Sequence, residues 1–83
     1  MNEDNIKPIL EKNKANITDS WQTLHIFKGI KAMCYYYTFK VKNKLYCVSG
    51  DGYSYVLTDE KIKYYYMGNN VKELEKTIIK VLK

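Results

Sequence analysis

A chain of 83 residues, 46% hydrophobic and 28% charged, suits one small globular domain over residues 1–83 and is too apolar for a disordered segment. A domain of this size buries roughly 60% of the surface its unfolded chain exposes, so the core is modest and a separate catalytic domain is excluded. Net charge is +5, carried by 14 lysines and no arginine; this argues against sequence-reading DNA recognition, which leans on arginine's planar fork.

The opening Met1-Asn2-Glu3-Asp4 is acidic, with no basic segment leading into an apolar one. No apolar run approaches the ~18 residues of a membrane span. The expected location is the cytoplasm. Ile6, Ile9, Leu10 and Ile17 roughly follow helical spacing, and Pro8 is tolerable in a first turn. The spacing predicts a short helix over about 4–14. Residues 18–31 read two ways: Thr18, Asp19 and Ser20 could cap a helix carrying Trp21, Leu24 and Phe27, whereas Leu24–Phe27 is also strand material ahead of a Lys28-Gly29 turn. The strand reading is slightly favoured.

Ala32–Val41 is rich in strand formers. Alternation puts Met33, Tyr35, Tyr37, Phe39 and Val41 on a core face, and Cys34, Tyr36, Thr38, Lys40 and Lys42 on the solvent face. A Lys42-Asn43-Lys44 loop then returns the chain as Leu45–Ser49. A three-residue loop would pair Phe39 with Cys47 and set Tyr46 beside Lys40. A two-residue loop assigns the faces differently, so the register stays open. Ser49-Gly50-Asp51-Gly52 is a turn and matches no complete phosphate-binding loop. Strands are expected over Tyr53–Thr58 and Lys61–Met67, with Ile62, Tyr64 and Tyr66 sharing one face. Asn70 and Glu73 have capping-box spacing ahead of the apolar stripe Val71, Leu74, Ile78, Val81 and Leu82, which predicts a C-terminal helix packed across the sheet. The expected fold is α+β: an antiparallel meander of four to five strands, flanked by an N-terminal and a C-terminal helix.

Charge is uneven along this plan. Residues 20–50 hold Lys28, Lys31, Lys40, Lys42 and Lys44 with no acid, so this block carries the whole net charge and four of the nine tyrosines. Lysine among aromatics is a footprint of nucleic-acid binding, and equally a device for guarding strand edges.

Little here suggests catalysis. His25 is the sole histidine, and neither Cys34 nor Cys47 stands in a motif with it. Zinc spacing is absent, so no metal or cofactor is expected. Cys34 and Cys47 are offset from the hairpin centre and read as reduced structural thiols. The acids Asp51, Asp59 and Glu60 fall in turns, where backbone geometry explains them.

Two tyrosine triples, Tyr35–Tyr37 and Tyr64–Tyr66, cannot each be buried on one face of a strand. Tyr35, Tyr37, Tyr64 and Tyr66 are assigned to the core. Tyr36, Tyr46 and Tyr65 are left as a candidate binding set, with Lys40, Lys42, Lys44, Lys61 and Lys63 around them. The chain thus reads as a small non-enzymatic protein-binding module, an inhibitor or regulator acting by occlusion on a protein target with an acidic or mixed surface. Its A+T-rich composition would suit a phage or mobile-element counter-defence protein. The alternative is a nucleic-acid-binding module in which lysines contact phosphate and tyrosines stack on bases. An open tyrosine-rich edge also leaves room for a homodimer.

Overall fold

The computed structural model describes residues 4–83; the acidic opening Met1-Asn2-Glu3 lies outside the described residues. Helix α1 (Ile6–Lys12) precedes five strands, β1 (Asn16–Phe27), β2 (Ile30–Val41), β3 (Lys44–Gly50), β4 (Tyr55–Asp59) and β5 (Tyr64–Gly68), and helix α2 (Val71–Leu82) follows them. The strands form one antiparallel sheet in the order β1-β2-β3-β4-β5. The α+β meander expected from the pattern is the fold, with five strands.

The ambiguous stretch is strand on both sides of a Lys28-Gly29 turn. Phe27 pairs with Ile30 across Lys28 (φ 49°) and Gly29 (φ 81°), the two positive φ angles that a type I′ hairpin needs. From that turn β1 runs beside β2 for its whole length, broken only by a bulge between Ile17 and Asp19. Each is 12 residues long, and their turn end projects as an arm beyond the rest of the sheet.

The β2–β3 turn has two residues. Val41 pairs with Lys44 across Lys42-Asn43, and Lys42 takes φ 57°. This settles the open register. Phe39 lies opposite Tyr46, not Cys47, and every residue of β3 changes face relative to the three-residue reading.

One face of the sheet carries the core. Tyr37, Phe39, Tyr46, Val48, Tyr55 and Leu57 meet Ile6, Ile9 and Leu10 of α1 and Leu74 and Ile78 of α2. Both helices therefore pack on the same face. Fully burying a side chain such as Phe39, Leu57, Leu74 or Ile78 contributes about 1.5–3 kcal/mol. The helices are also tied to each other, because Glu75 accepts from Asn13 Nδ2 at 3.2 Å and pairs with Lys12 at 3.6 Å. Gly50 permits the closest packing: a Cβ there would stand 2.3 Å from the Tyr55 ring.

The helix starts are held by side chains. Asp4 accepts from the N–H groups of Ile6 and Lys7 with one oxygen and from the Tyr37 hydroxyl with the other. Burial, then the Asp4 bond, pushes the Tyr37 hydroxyl well above its ordinary pKa. Asn70 caps α2 by accepting from Lys72 N (3.0 Å) and Glu73 N (3.2 Å). The reciprocal half of the expected capping box is made differently. Asn70 N donates to the Tyr66 hydroxyl at 3.0 Å, while Glu73 turns toward Lys76.

The second tyrosine triple is divided otherwise than alternation predicts. A bulge opposite Leu57 and Thr58 inserts an extra residue into β5, pairing Leu57 with Tyr66 and Thr58 with Tyr64. Tyr65 and Tyr66 consequently both pack toward the helices, whereas Tyr64 is exposed. Ile62 sits in the preceding turn at φ 62°, also exposed. Tyr53 falls in the β3–β4 loop instead of a strand.

Candidate functional site

Strand alternation determines what the second face of the sheet presents. Pairing from β1 to β5 places Trp21, Thr23, His25 and Phe27 beside Ile30, Ala32, Cys34 and Tyr36, followed by Cys47 and Ser49, Val56 and Thr58, then Tyr64 and Met67. Among the described residues no helix lies on this face. Asp19, Thr38 and Lys40 continue this face at the end of β1 and β2 away from the hairpin turn, and none of its side chains from Trp21 to Phe27 or from Ile30 to Tyr36 is an acid or a lysine. Phe27 is 71% exposed, Met67 68%, Ile30 60% and Trp21 44%. Trp21 stacks on Tyr36, with centroids 5.2 Å apart and planes 8° from parallel.

Below Tyr36 the face is closely packed. Cys34 is buried and Cys47 half-buried, and both are free thiols. The Cys34 side chain, followed by partial burial, raises the Tyr36 hydroxyl above its ordinary pKa, and burial raises the Cys47 thiol. The Cys47 thiol is thereby made less available as the nucleophilic thiolate.

At the arm this face acquires a cavity of about 380 Å³, lined by His25, Phe27, Ile30, Ala32, Asp51 and Tyr53. The β3–β4 loop forms its far wall. That loop is closed by Asp51, which accepts from the N–H groups of Tyr53 and Ser54 at 2.8 Å each. Partial burial would raise the Asp51 carboxyl, but the Ser54 and Tyr53 N–H groups outweigh it and hold the pKa below its ordinary value. Gly52 makes the turn at φ 87°. The walls are mainly apolar, with a carboxylate and an imidazole at the rim, as in a pocket for one bulky side chain.

The basic aromatic cluster lies on the helix side. Lys44 Nζ donates to the Tyr65 hydroxyl at 2.8 Å, and that hydroxyl donates to Asp59 Oδ2 at 3.1 Å. Lys44 also pairs with Asp59 at 3.6 Å and lies over the rings of Tyr46 and Tyr65. Lys63 lies over the Tyr65 ring at 5.3 Å. Asp59, 5% exposed, anchors the group by accepting from Lys61 N and Lys63 N. The Lys63 N–H first, then the Lys61 N–H, the Tyr65 hydroxyl and the Lys44 charge, outweigh burial and hold its carboxyl below the ordinary value. The bond to Tyr65 likewise holds Lys44 protonated above the usual lysine range. An open groove of about 560 Å³ runs from here to Thr77, Lys80 and Val81 of α2.

The candidate set read from the sequence is therefore split. Tyr36 occupies the helix-free face. Tyr46 is core, 7% exposed and stacked on Phe39 at 5.5 Å, because the two-residue turn put it there. Tyr65 meets Tyr46 edge-on at 5.5 Å, because the β5 bulge turned it inward. Lys44 and Lys63 follow Tyr65. Lys42 makes the β2–β3 turn, and Lys61 contributes its backbone N–H to Asp59. Lys40 is exposed and shares the face of Tyr36, though Thr38 intervenes. The binding set read from the sequence leaves out Trp21, Phe27, Ile30 and Tyr53. The signal available was the Lys28-Gly29 turn, whose two-residue spacing fixes which of them share a face.

Among the described residues no group of three or more His, Cys, Asp or Glu side chains is placed to hold a metal ion, and no helix is long and apolar enough to cross a membrane. Comparison with known protein families, with curated proteins and with solved structures finds no match to this chain.

Proposed function

We propose that the chain is a non-enzymatic protein-binding module whose contact surface is the helix-free face of the sheet. One observation carries this reading. The face joins a Trp21–Tyr36 stack to exposed Phe27 and Ile30, and ends in a pocket beside Tyr53. Aromatic and aliphatic side chains grouped together, with the charges of Asp19, Lys40 and Asp51 at their margins, are what the centre of a protein interface offers, and monomeric domains seldom leave such a patch open. Trp and Tyr add contact area at low entropic cost. The partner chemistry that fits is a protein surface with a bulky apolar side chain for the pocket. Binding across this face would act by occlusion, as an inhibitor or regulator does.

The nucleic-acid reading draws less support from the geometry. It needs tyrosine stacking and lysine–phosphate contact on one surface. Tyr36 has Lys40 nearby, but Lys44 and Lys63 are gathered around Tyr65 on the opposite side, where Asp59 offsets them. The test compares the wild type with Phe27→Ser and with Lys80→Glu for a stoichiometric complex formed in an extract of the producing cell, and for low-salt binding to single-stranded DNA and RNA. The expected result is one protein in fixed ratio, lost in Phe27→Ser and kept in Lys80→Glu. Salt-sensitive single-strand binding lost in Lys80→Glu would replace this reading with the alternative.

A further inference from the structure

We infer that the free edge of β1 pairs with β1 of a second copy of the chain, antiparallel about a two-fold axis at Gln22. The inference does not rest on the partner reading above.

The two edges of the sheet are unequal. β5 is five residues long, and Lys61 and Lys63 precede it. β1 is 12 residues long, contains neither lysine nor proline, and has only Ile17 partly buried. Proteins that must keep an edge from pairing shorten it, charge it or break it with proline. β1 has a bulge between Ile17 and Asp19, and none of those devices from Ser20 to Phe27.

The hairpin fixes which backbone groups are free. Phe27 and Ile30 flank a two-residue turn and so exchange both hydrogen bonds. By alternation His25, Thr23 and Trp21 also bond to β2, and the N–H and C=O groups of Gln22, Leu24 and Ile26 point away from the sheet, as does the C=O of Ser20, whose N–H donates to Asp19 Oδ1 at 2.8 Å. A two-fold axis relating antiparallel edges keeps each copy's faces on the same side, so paired residues must share a face. Centring the axis on Gln22 makes Gln22 bond to its own copy and Leu24 N–H donate to the Ser20 C=O of the second copy. It also sets Asp19 opposite His25 and Trp21 opposite Thr23, each pair occurring twice. Asp19 is the only acid on β1 and His25 its only base, so this register places carboxylate against imidazole and no lysine against lysine. The overlap from Asp19 to His25 spans about 20 Å. Both helix-free faces come to one side, where they form a continuous surface.

The test is the mass of the full chain by light scattering and sedimentation over a concentration series. A dimer is expected for the wild type. Gln22→Pro removes an edge N–H without touching the β1–β2 ladder, and should weaken the dimer roughly tenfold or more. Should that variant not fold, the charge pair carries the test: Asp19→Lys weakens the dimer, and adding His25→Glu restores it. Asp19 and His25 of one chain lie too far apart along β1 for that rescue to arise within a monomer. A wild type that stays monomeric at every concentration overturns the proposal, as does a dimer that neither Gln22→Pro nor the charge variants alter. Loss of the dimer in Gln22→Pro with partner binding intact, or loss of partner binding in Phe27→Ser with the dimer intact, separates the two surfaces.

Discussion

Trp21 lies flat on Tyr36, 5.2 Å away and 8° from parallel, on the side of the sheet that the helices leave open. Such a pair is worth about 0.5–1.5 kcal/mol beyond the area it covers. Because Trp21 is 44% exposed, Trp21→Ala should cost the fold little more than that. It should weaken partner binding by about 2 kcal/mol, near thirtyfold, as loss of an interface anchor does. Tyr36→Ala should act in the same direction. Urea unfolding followed by circular dichroism measures the first quantity, and titration with the isolated partner the second.

Gly50 is the position least able to accept a side chain. A Cβ would meet Tyr55 at 2.3 Å and Ile6 at 3.1 Å, within the core that joins sheet to α1. Gly50→Ala should destabilise by about 1–3 kcal/mol through overpacking. Gly29→Ala has open space around it but φ 81°, so its cost is conformational and should be about 1 kcal/mol. The two denaturation midpoints compare these causes directly.

Asp59 gives the fold an acid-sensitive joint. Its carboxyl is held below the ordinary range by N–H donors from Lys63 and Lys61, the Tyr65 hydroxyl and the Lys44 charge. A group whose pKa is lower folded than unfolded adds stability above its unfolded value, about 3.9, and loses it as pH falls through the folded value. Asp51 is shifted in the same direction. The melting temperature should therefore fall as pH drops below about 4. Asp59→Asn keeps the acceptor for Lys61 N and Lys63 N and should flatten that acid limb. An unchanged limb in the variant would assign the dependence to other carboxylates.

The start of α2 depends on a hydroxyl from the preceding strand. Tyr66 accepts from Asn70 N and donates to Asn70 O, both at 3.0 Å. Tyr66→Phe should cost about 0.5–1.5 kcal/mol. Glu73→Ala, which removes only an exposed pair with Lys76, should cost under about 1 kcal/mol. Equal or reversed costs would restore Glu73 to the reciprocal role that its spacing suggested.

The fold was legible because its strongest signals are local. The α2 stripe, the Lys28-Gly29 and Gly50-Asp51-Gly52 turns and the alternation of β2 each follow from neighbouring residues. Tyr37 and Phe39 were thus assignable to the core. The site was not legible, because single-residue offsets decide it. One residue fewer in the Lys42-Asn43 turn buries Tyr46, and one residue more in β5 turns Tyr65 toward Tyr46. Side-chain period 2 converts each offset into a change of face. A lysine's place along the chain also says nothing of its counter-charge: Asp59 reaches Lys44 through the pairing of β3 with β4.

The most direct test of the helix-free face is side-chain footprinting of the isolated complex by hydroxyl radicals, read residue by residue. Trp21, Phe27, Ile30 and Met67 are exposed in the free chain. The account predicts that Trp21, Phe27 and Ile30 lose reactivity together when the partner binds, while Val81 at the α2 groove does not. Protection at Val81 and Tyr65, with Trp21 and Phe27 as reactive as before, would contradict it.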